Sequence, residues 1–490
     1  MAVLSARELL IGFPSLILVY LLALVFYRLY LHPLAKFPGP KLAAGTLWYE
    51  FYYDVVKRGR YTWKIAQLHA QYGPIIRISP YELHIDDPEF YDELYVGPSQ
   101  RRTLKYEYSV RGFGPTNFTF STVGHEHHRL RRAAIAPLFS KALVQQFEPS
   151  VQMMVEKLMS RLEKLRGTGT VINMIDMYPC LTSDIICQYA FASPYGYLDE
   201  PEFAPLWHKA VMDASEGSHF FKQFPWLESI MRRMPSSIVR KMVPGLSALF
   251  QLVDMVHDKV SKVQSDFAKD EKVDSRQTIF HGLIANDQLP PEEKTTERLE
   301  AEGAGVVAAG AMTVAHTLSV ISYHILANPS IQQKLQKELD AASLDSDSPV
   351  RWGQLEQLPY LSAIIQEGLR WAPGVSHRLQ RISPDIDLQY KDWTIPRGTP
   401  VGMTSILMHE NPDLFPAART FDPDRWLQAD SARLRNLAYC ELYLTLAAIF
   451  KPDRFTFKLY ETGVEDAEIG HDFFNACQSV ESKGIRVTVD

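Results

Sequence analysis

Gln366-Glu367-Gly368-Leu369-Arg370-Trp371, followed by the basic run His377-Arg378-Leu379-Gln380-Arg381, decides how this chain is read. Glu367 and Arg370 stand three residues apart, so on a helix they share a face and can pair. Their neighbours Tyr360, Leu361, Ile364, Ile365, Leu369 and Trp371 are apolar, which places the helix inside the protein. A solvated Glu–Arg helix pair is worth only a few tenths of a kcal/mol. A buried one needs a further partner, and Phe421-Asp422-Pro423-Asp424-Arg425-Trp426 offers Arg425. Glu367, Arg370 and Arg425 would then form a structural triad fixing two distant segments, and removing one member of such a cluster costs about 3–5 kcal/mol.

Together with a long Ala/Gly-rich helix upstream, the E-x-x-R helix and the F-D-P-D-R-W segment resemble the cytochrome P-450 family of haem-thiolate monooxygenases over nearly the whole chain. The likeness is greatest to membrane-bound fungal members of the trichodiene oxygenase kind. It implies a mainly α fold with smaller β-sheets, preceded by one N-terminal transmembrane helix. It also implies a haem cofactor and electrons from an NADPH-dependent flavoprotein reductase. The reaction would insert one atom of O₂ into a lipophilic substrate, a terpenoid or another secondary metabolite.

Composition agrees with a large globular protein. The 490 residues, 46% hydrophobic and 22% charged, suffice for one large domain or two. A net charge of −6 gives no case for nucleic-acid binding, which would call for a basic stripe. Four cysteines, Cys180, Cys187, Cys440 and Cys477, have no paired spacing, which suits a reducing compartment rather than a disulfide scaffold. No repeat or low-complexity tract is evident, and no motif predicts a metal held by side chains alone.

Leu9 to Tyr27 contains no charge and is long enough to cross a bilayer, although Pro14 lies within it. A cleaved signal peptide is the competing reading, but its apolar core would be shorter and would end at a small-residue cleavage site. Arg28, Lys36 and Lys41 follow the span and only Arg7 precedes it, which puts the body of the protein in the cytoplasm. The expected organisation is an anchor over 1–31 in the endoplasmic reticulum membrane, a proline-rich hinge over 32–45 and a catalytic domain over 46–490. Phe37-Pro38-Gly39-Pro40 within the hinge reads as a stiff turn. Alternation around Ser79-Pro80 predicts a β-hairpin over Ile75 to Ile85.

Gly124 to Lys141 is dense in cations: His125, His127, His128, Arg129, Arg131 and Arg132. It lacks the H-E-x-x-H spacing of a zinc site and reads as a solvated helix face. The resemblance implies instead that His128 and Arg132 bind a haem propionate, with His128 where the family has Trp. Between Ser150 and about Glu297 the chain reads as amphipathic helices broken by Pro201, Pro205, Pro225, Pro235 and Pro244. Ala301 to Asn328 reads as a long apolar helix ended by Pro329. Gly303, Gly305 and Gly310 each weaken it, which suggests that something bulky approaches its backbone. Gly303 to Ala308 also matches a dinucleotide G-x-G-x-x-A, a weak signal without a preceding strand.

By the resemblance, Ala309 and Gly310 lie over the haem and Thr313 is the alcohol that passes protons to bound oxygen. Met312 stands where the family has an acid, and a thioether relays no proton. Taken alone, Thr313 would be a back-bonded helix threonine. Arg381 matches the donor to the second propionate and Arg378 is a weaker candidate. Leu388 to Met403, with Pro396-Arg397-Gly398, reads as strand, turn and strand.

Then the pattern breaks. After F-D-P-D-R-W the family carries a loop, F-x-x-G-x-R-x-C-x-G, whose cysteine thiolate is the fifth ligand of the iron. Here Ser431-Ala432-Arg433-Leu434-Arg435-Asn436 runs straight into Leu437-Ala438-Tyr439-Cys440, which resembles the helix beyond that loop. Cys440 reads as a small core residue. A missing exon, a misplaced splice boundary or a true loss in a degenerate paralogue would all leave this trace. Two readings follow: a membrane-anchored monooxygenase, and a haem-poor pseudoenzyme or truncated gene product that keeps the fold without the iron chemistry.

Overall fold

The structure, a computed structural model, describes residues 6–97, 100–113, 117–203, 205–235, 238–239, 247–269, 278–342, 350–427 and 437–490. Pro244 and the stretch Ser431 to Asn436, both singled out above, lie outside these residues. The chain forms two compact units, one from Met1–Ser109 with Arg378–Met408, the other from Val110–His377 with His409–Asp490.

In the first unit, helix α1 (Ala6–Phe26) carries Pro14 within it. The window Pro14–Leu31 has a mean hydropathy of 1.8 with none of it buried, so it is long and apolar enough to cross a membrane. The stiff turn that follows is pinned to the sheet. The Arg77 amide donates to Pro38 O at 2.7 Å, and a Cβ on Gly39 (φ +147°) would strike the Arg77 carbonyl, which requires glycine there. After α2 (Tyr61–Tyr72) come β1 (Ile75–Arg77) and β2 (Leu83–Ile85), the predicted hairpin, paired Ile75 with Ile85. Side chains alternate across a strand. Ile75, Leu83 and Ile85 therefore enter one apolar cluster with Phe37 and Val401, while Ile76 and Ile78 enter another with Tyr61 and Ile65.

The sheet is completed by β3 (Leu104–Lys105), β5 (Arg381–Ile382) and β8 (Pro400–Gly402) in the order β1-β2-β8-β5-β3. The expectation for Leu388 to Met403 is corrected. The segment forms three strands, and β6 (Leu388–Tyr390) pairs with β7 (Trp393–Ile395) about Lys391, whose φ is +50°. The turn containing Pro396 and Gly398 then leads into β8, which lies parallel to β2 in the larger sheet.

The second unit is helical. In chain order its longer helices are α3 (His125–Ile135), α4 (Lys141–Leu165), α5 (Met174–Phe191), α6 (Pro205–Gln223), α7 (Pro225–Arg233), α8 (Ser247–Ala268), α9 (Ile279–Ala285), α10 (Thr296–Ala327), α11 (Pro329–Ala341), α12 (Pro359–Trp371) and α13 (Leu437–Phe450). Pro205, Pro225 and Pro329 each occupy the first position of a helix, where the missing N–H costs nothing. Three small strands, β4 (Ile172–Asn173), β9 (Phe457–Leu459) and β12 (Arg486–Val489), form a sheet ordered β4-β12-β9. β10 (His471–Phe473) and β11 (Asn475–Cys477) form a hairpin.

α10 begins five residues before Ala301 because the Thr295 hydroxyl accepts from the Arg298 amide and caps it. It is apolar enough to span a membrane, but 56% of its apolar window is buried, so it is the core helix of this unit. It lies along α5 and also packs on α8, α12 and α13. The glycines serve this packing. A Cβ would stand 2.7 Å from Val256 at Gly303, 2.6 Å from Phe118 at Gly305 and 2.6 Å from Ile186 at Gly310. The bulky groups approaching the helix at these positions are thus neighbouring side chains.

Candidate active site

The Glu367 carboxylate is completely buried and is the centre of a hydrogen-bond cage. Arg370 grips it with two bonds, Nε to Oε2 at 2.9 Å and Nη2 to Oε1 at 2.7 Å. The Asp422 amide donates to Oε1 at 2.9 Å and the Trp426 indole to Oε2 at 2.8 Å. Arg425 Nε reaches Oε1 at 3.3 Å, a looser bond than those of Asp422 and Trp426, which the sequence did not mark. Burial raises the carboxyl's pKa, but these donors outweigh it and hold Glu367 below the ordinary value. Arg370 Nη1 ties in the carbonyls of His409 (2.9 Å) and Ala418 (2.8 Å), so the E-x-x-R helix and the F-D-P-D-R-W segment are joined.

On α10, Ala309 is exposed and the Thr313 hydroxyl donates back to its carbonyl at 2.9 Å. Gly374 packs on Thr313 so closely that a Cβ there would lie 2.8 Å from Thr313 Cβ. The segment carrying Gly374 is fastened by Asp472, which is fully buried. Its carboxylate accepts from Ser376 Oγ at 2.9 Å and lies 3.0 Å from His377 Nδ1. Nothing in the spacing of residues 376 and 472 announced this latch, because it joins segments distant in sequence.

In α3, Arg132 is exposed and His128 half-buried, while the neighbouring Arg131 is buried. Arg131 Nε lies 2.8 Å from Glu293 Oε2, which also takes Arg298 Nε at 2.8 Å, and His127 reaches Oε1 at 2.6 Å. Burial would raise Glu293, but bonds from Arg131, His127 and Arg298 bring it to about 2. One histidine of the cluster therefore serves an ion-pair network. Among the described residues no group of three His, Cys, Asp or Glu is placed to hold a metal ion.

Within the first unit, Arg381 is half-buried, bonded to Gln380 O at 3.1 Å and stacked over Tyr95. Arg378 is fully buried between Glu50 (2.6 Å) and Glu82 (2.9 Å), so its guanidinium is committed to those carboxylates.

The sequence pattern of the cytochrome P-450 family matches residues 43–473, and the chain belongs to that family, whose members are haem-dependent monooxygenases. It is 42% identical to cytochrome P-450 monooxygenase MO6277 of Ascocoryne sarcoides, over 96% of each chain. It is 40% identical to tryptophan 6-hydroxylase fscE of Fusarium equiseti, over 97% of this chain and 96% of that one. With cytochrome P-450 monooxygenase tpcC of Cochliobolus heterostrophus the identity is 39% over the whole of both chains. That last alignment occupies 528 positions against 490 residues here, so at least 38 positions of the relative have no counterpart in this chain.

The cofactor the family implies is haem iron, whose fifth ligand is a cysteine thiolate. The residues present do not fit that ligand. Cys440 is wholly buried in α13, and burial, with Glu148 and Glu441 nearby, drives its thiol pKa far above the ordinary value. Cys180 and Cys187 are buried in α5, and burial pushes Cys187 up to about 12. Cys477 lies half-buried in β11. Residues 428–436, between F-D-P-D-R-W and α13, contain neither Cys nor His. Beyond them, on α13, Glu441 is buried, and desolvation drives its pKa well up. Among the described residues its Oε2 and the hydroxyl of Thr445, one turn later, have no hydrogen-bond partner. Native proteins rarely leave such groups unpaired, and both lie on α13, just beyond the point where the family pattern is interrupted.

Proposed function

We propose that this chain is the product of a gene for a membrane-anchored monooxygenase and that it lacks the internal segment bearing the iron's fifth ligand. One observation carries the reading: the buried E-x-x-R cage stands on one side of residues 428–436, α13 follows on the other, and no cysteine lies between. The shortfall of at least 38 positions against the Cochliobolus relative, and a buried Glu441 Oε2 without a partner among the described residues, support it. With the segment restored, Thr313 is the hydroxyl beside the reacting centre, with Ala309 and Gly310 on its face, and His128, Arg132 and Arg381 are the propionate donors. Residues 1–31 hold the protein in the endoplasmic reticulum membrane, 32–45 form the hinge, and 46–490 face the cytoplasm and take electrons from an NADPH-dependent flavoprotein reductase. The substrate is lipophilic, a terpenoid or another secondary metabolite. The name of the Fusarium relative adds tryptophan-like aromatics to the classes to be tried.

The alternative, a haem-poor pseudoenzyme, describes the chain if its message is complete as written. Sequencing the transcript across Asn436 and Leu437 separates the two. An in-frame F-x-x-G-x-R-x-C-x-G segment supports the monooxygenase, and messages that match the chain as given sink it.

A further inference from the structure

Val401 of β8 stands opposite both Leu83 of β2 and Arg381 of β5. Side chains alternate along a strand, so the preceding residues Glu82 and Gln380 project from the other face, on either side of β8. Gly402 leaves room there: a Cβ on it would touch Arg378 and Gln380 at 3.4 Å. Glu82 and Arg378 are fully buried and Gln380 is 2% exposed. Glu82 Oε1 accepts from Arg378 Nε at 2.9 Å and from Gln380 Nε2 at 2.7 Å.

Two oxygens are left over. Among the described residues neither Glu82 Oε2 nor Gln380 Oε1 has a hydrogen-bond partner. While Glu82 is ionised both are acceptors only, and a buried acceptor without a donor costs free energy. One proton on Oε2 answers both, because a carboxylic acid and a carboxamide pair through an O–H···O and an N–H···O bond together. The charges point the same way. Arg378 is shared with Glu50, whose Oε1 lies nearer, 2.6 Å from Nη2, and the shorter bond marks Glu50 as the ionised partner. The other titratable groups facing this pair, Asp54, Tyr61, Tyr95 and Tyr108, bring no cation. Burial raises the Glu82 carboxyl above its ordinary 4.5, and Glu50 adds to the rise against the pull of Arg378.

We propose that Glu82 is a carboxylic acid in the folded protein at neutral pH and that its Oε2–H closes a two-bond ring with the Gln380 carboxamide, a proton-dependent joint between the start of β2 and the run Arg378–Arg381. Ionising Glu82 sets a second carboxylate beside Glu50 and leaves two acceptors without a donor, so the joint loosens as the pH rises. Gln380 O also takes Arg381 Nη1 at 3.1 Å, which makes Glu82 a positioning residue for Arg381. The bearing of that on Arg381 as a propionate donor rests on the monooxygenase reading; the buried acid does not.

The test is urea unfolding of the full chain in lipid nanodiscs, without haem, from pH 5 to pH 8, beside Glu82→Gln, in which an amide N–H replaces the acid O–H. A carboxyl whose folded pKa is raised contributes stability that is complete below the unfolded pKa and is lost as the pH rises toward the folded one. The folding constant of the unaltered chain therefore falls, relative to Glu82→Gln, by about tenfold per pH unit between pH 5 and pH 7. Glu50→Gln leaves Arg378 to Glu82 alone, lowers the pKa of the acid and shrinks that fall. At pH 7 the infrared spectrum of the unaltered chain shows a protonated-carboxyl stretch, shifted in D₂O, that Glu82→Gln lacks. Parallel pH profiles, no difference in that stretch, or a fall unchanged in Glu50→Gln overturns the proposal. So does a Glu82→Gln chain that fails to fold or is about a hundredfold less stable at pH 7, the mark of an ionised Glu82 whose second oxygen is bridged to Gln380 by a bound water. Because no readout involves haem, none of these outcomes bears on whether the monooxygenase reading holds.

Discussion

Replacing Arg370 by Met removes both bonds to Glu367 and the bonds to the carbonyls of His409 and Ala418, while leaving a carboxylate that is 0% exposed. The Asp422 amide and the Trp426 indole still donate to it, and Arg425, at 3.3 Å, can close in. These donors keep the loss at the lower end of the range for stranding a buried charge, about 3 kcal/mol of a possible 5. At about 2.1 cal/mol/K per residue, a cooperative unit of about 350 residues would melt roughly 4 °C lower. Circular dichroism melts and urea titrations of the full chain in nanodiscs measure both quantities. Adding Glu367→Gln to Arg370→Met removes the stranded charge and returns about 1–2 kcal/mol, a coupling that a double-mutant cycle isolates. A loss below 1 kcal/mol for Arg370→Met, or a second substitution that only adds to the damage, would refute the cage as the joint between α12 and the F-D-P-D-R-W segment.

Gly374→Ala places a methyl group 2.8 Å from Thr313 Cβ and lowers stability by about 1–3 kcal/mol in urea titration, whereas an unchanged midpoint would mean the segment yields freely. His324 is stacked on Phe421 with ring centroids 4.3 Å apart, and burial lowers its pKa from 6.5 to about 4. Because the folded state resists protonation, the stability tied to neutral His324 is complete above pH 6.5 and drains away as the pH falls toward 4. Relative to His324→Phe, the unaltered chain should lose on the order of 3 kcal/mol over that interval. Parallel pH profiles of the two proteins would contradict this.

The sequence carried the long elements and the buried pair because both write themselves in local periodicity. The apolar neighbours of Glu367 and Arg370 predicted their burial, and Pro329 predicted the end of α10. Features joining distant segments were not legible in this way. The Trp426 bond to Glu367, the Asp472 latch on Ser376 and His377, and the Gln478 bond to His316 depend on how the chain returns on itself. Arg131 and Arg132 illustrate a finer limit. Adjacent helix positions point about 100° apart, and only the packed structure reveals that Arg131 is the buried cation. The three glycines of α10 announced close approach correctly but not its agent, which is protein side chain.

The most direct test of the central claim is the carbon monoxide difference spectrum of the reduced protein, expressed in a haem-replete host. The chain as written should give no thiolate-haem band. The same chain with an F-x-x-G-x-R-x-C-x-G segment inserted between Asn436 and Leu437 should give one. A thiolate band from the unaltered chain that disappears in Cys440→Ser would contradict the account, because it would make the buried thiol of α13 the iron ligand after all.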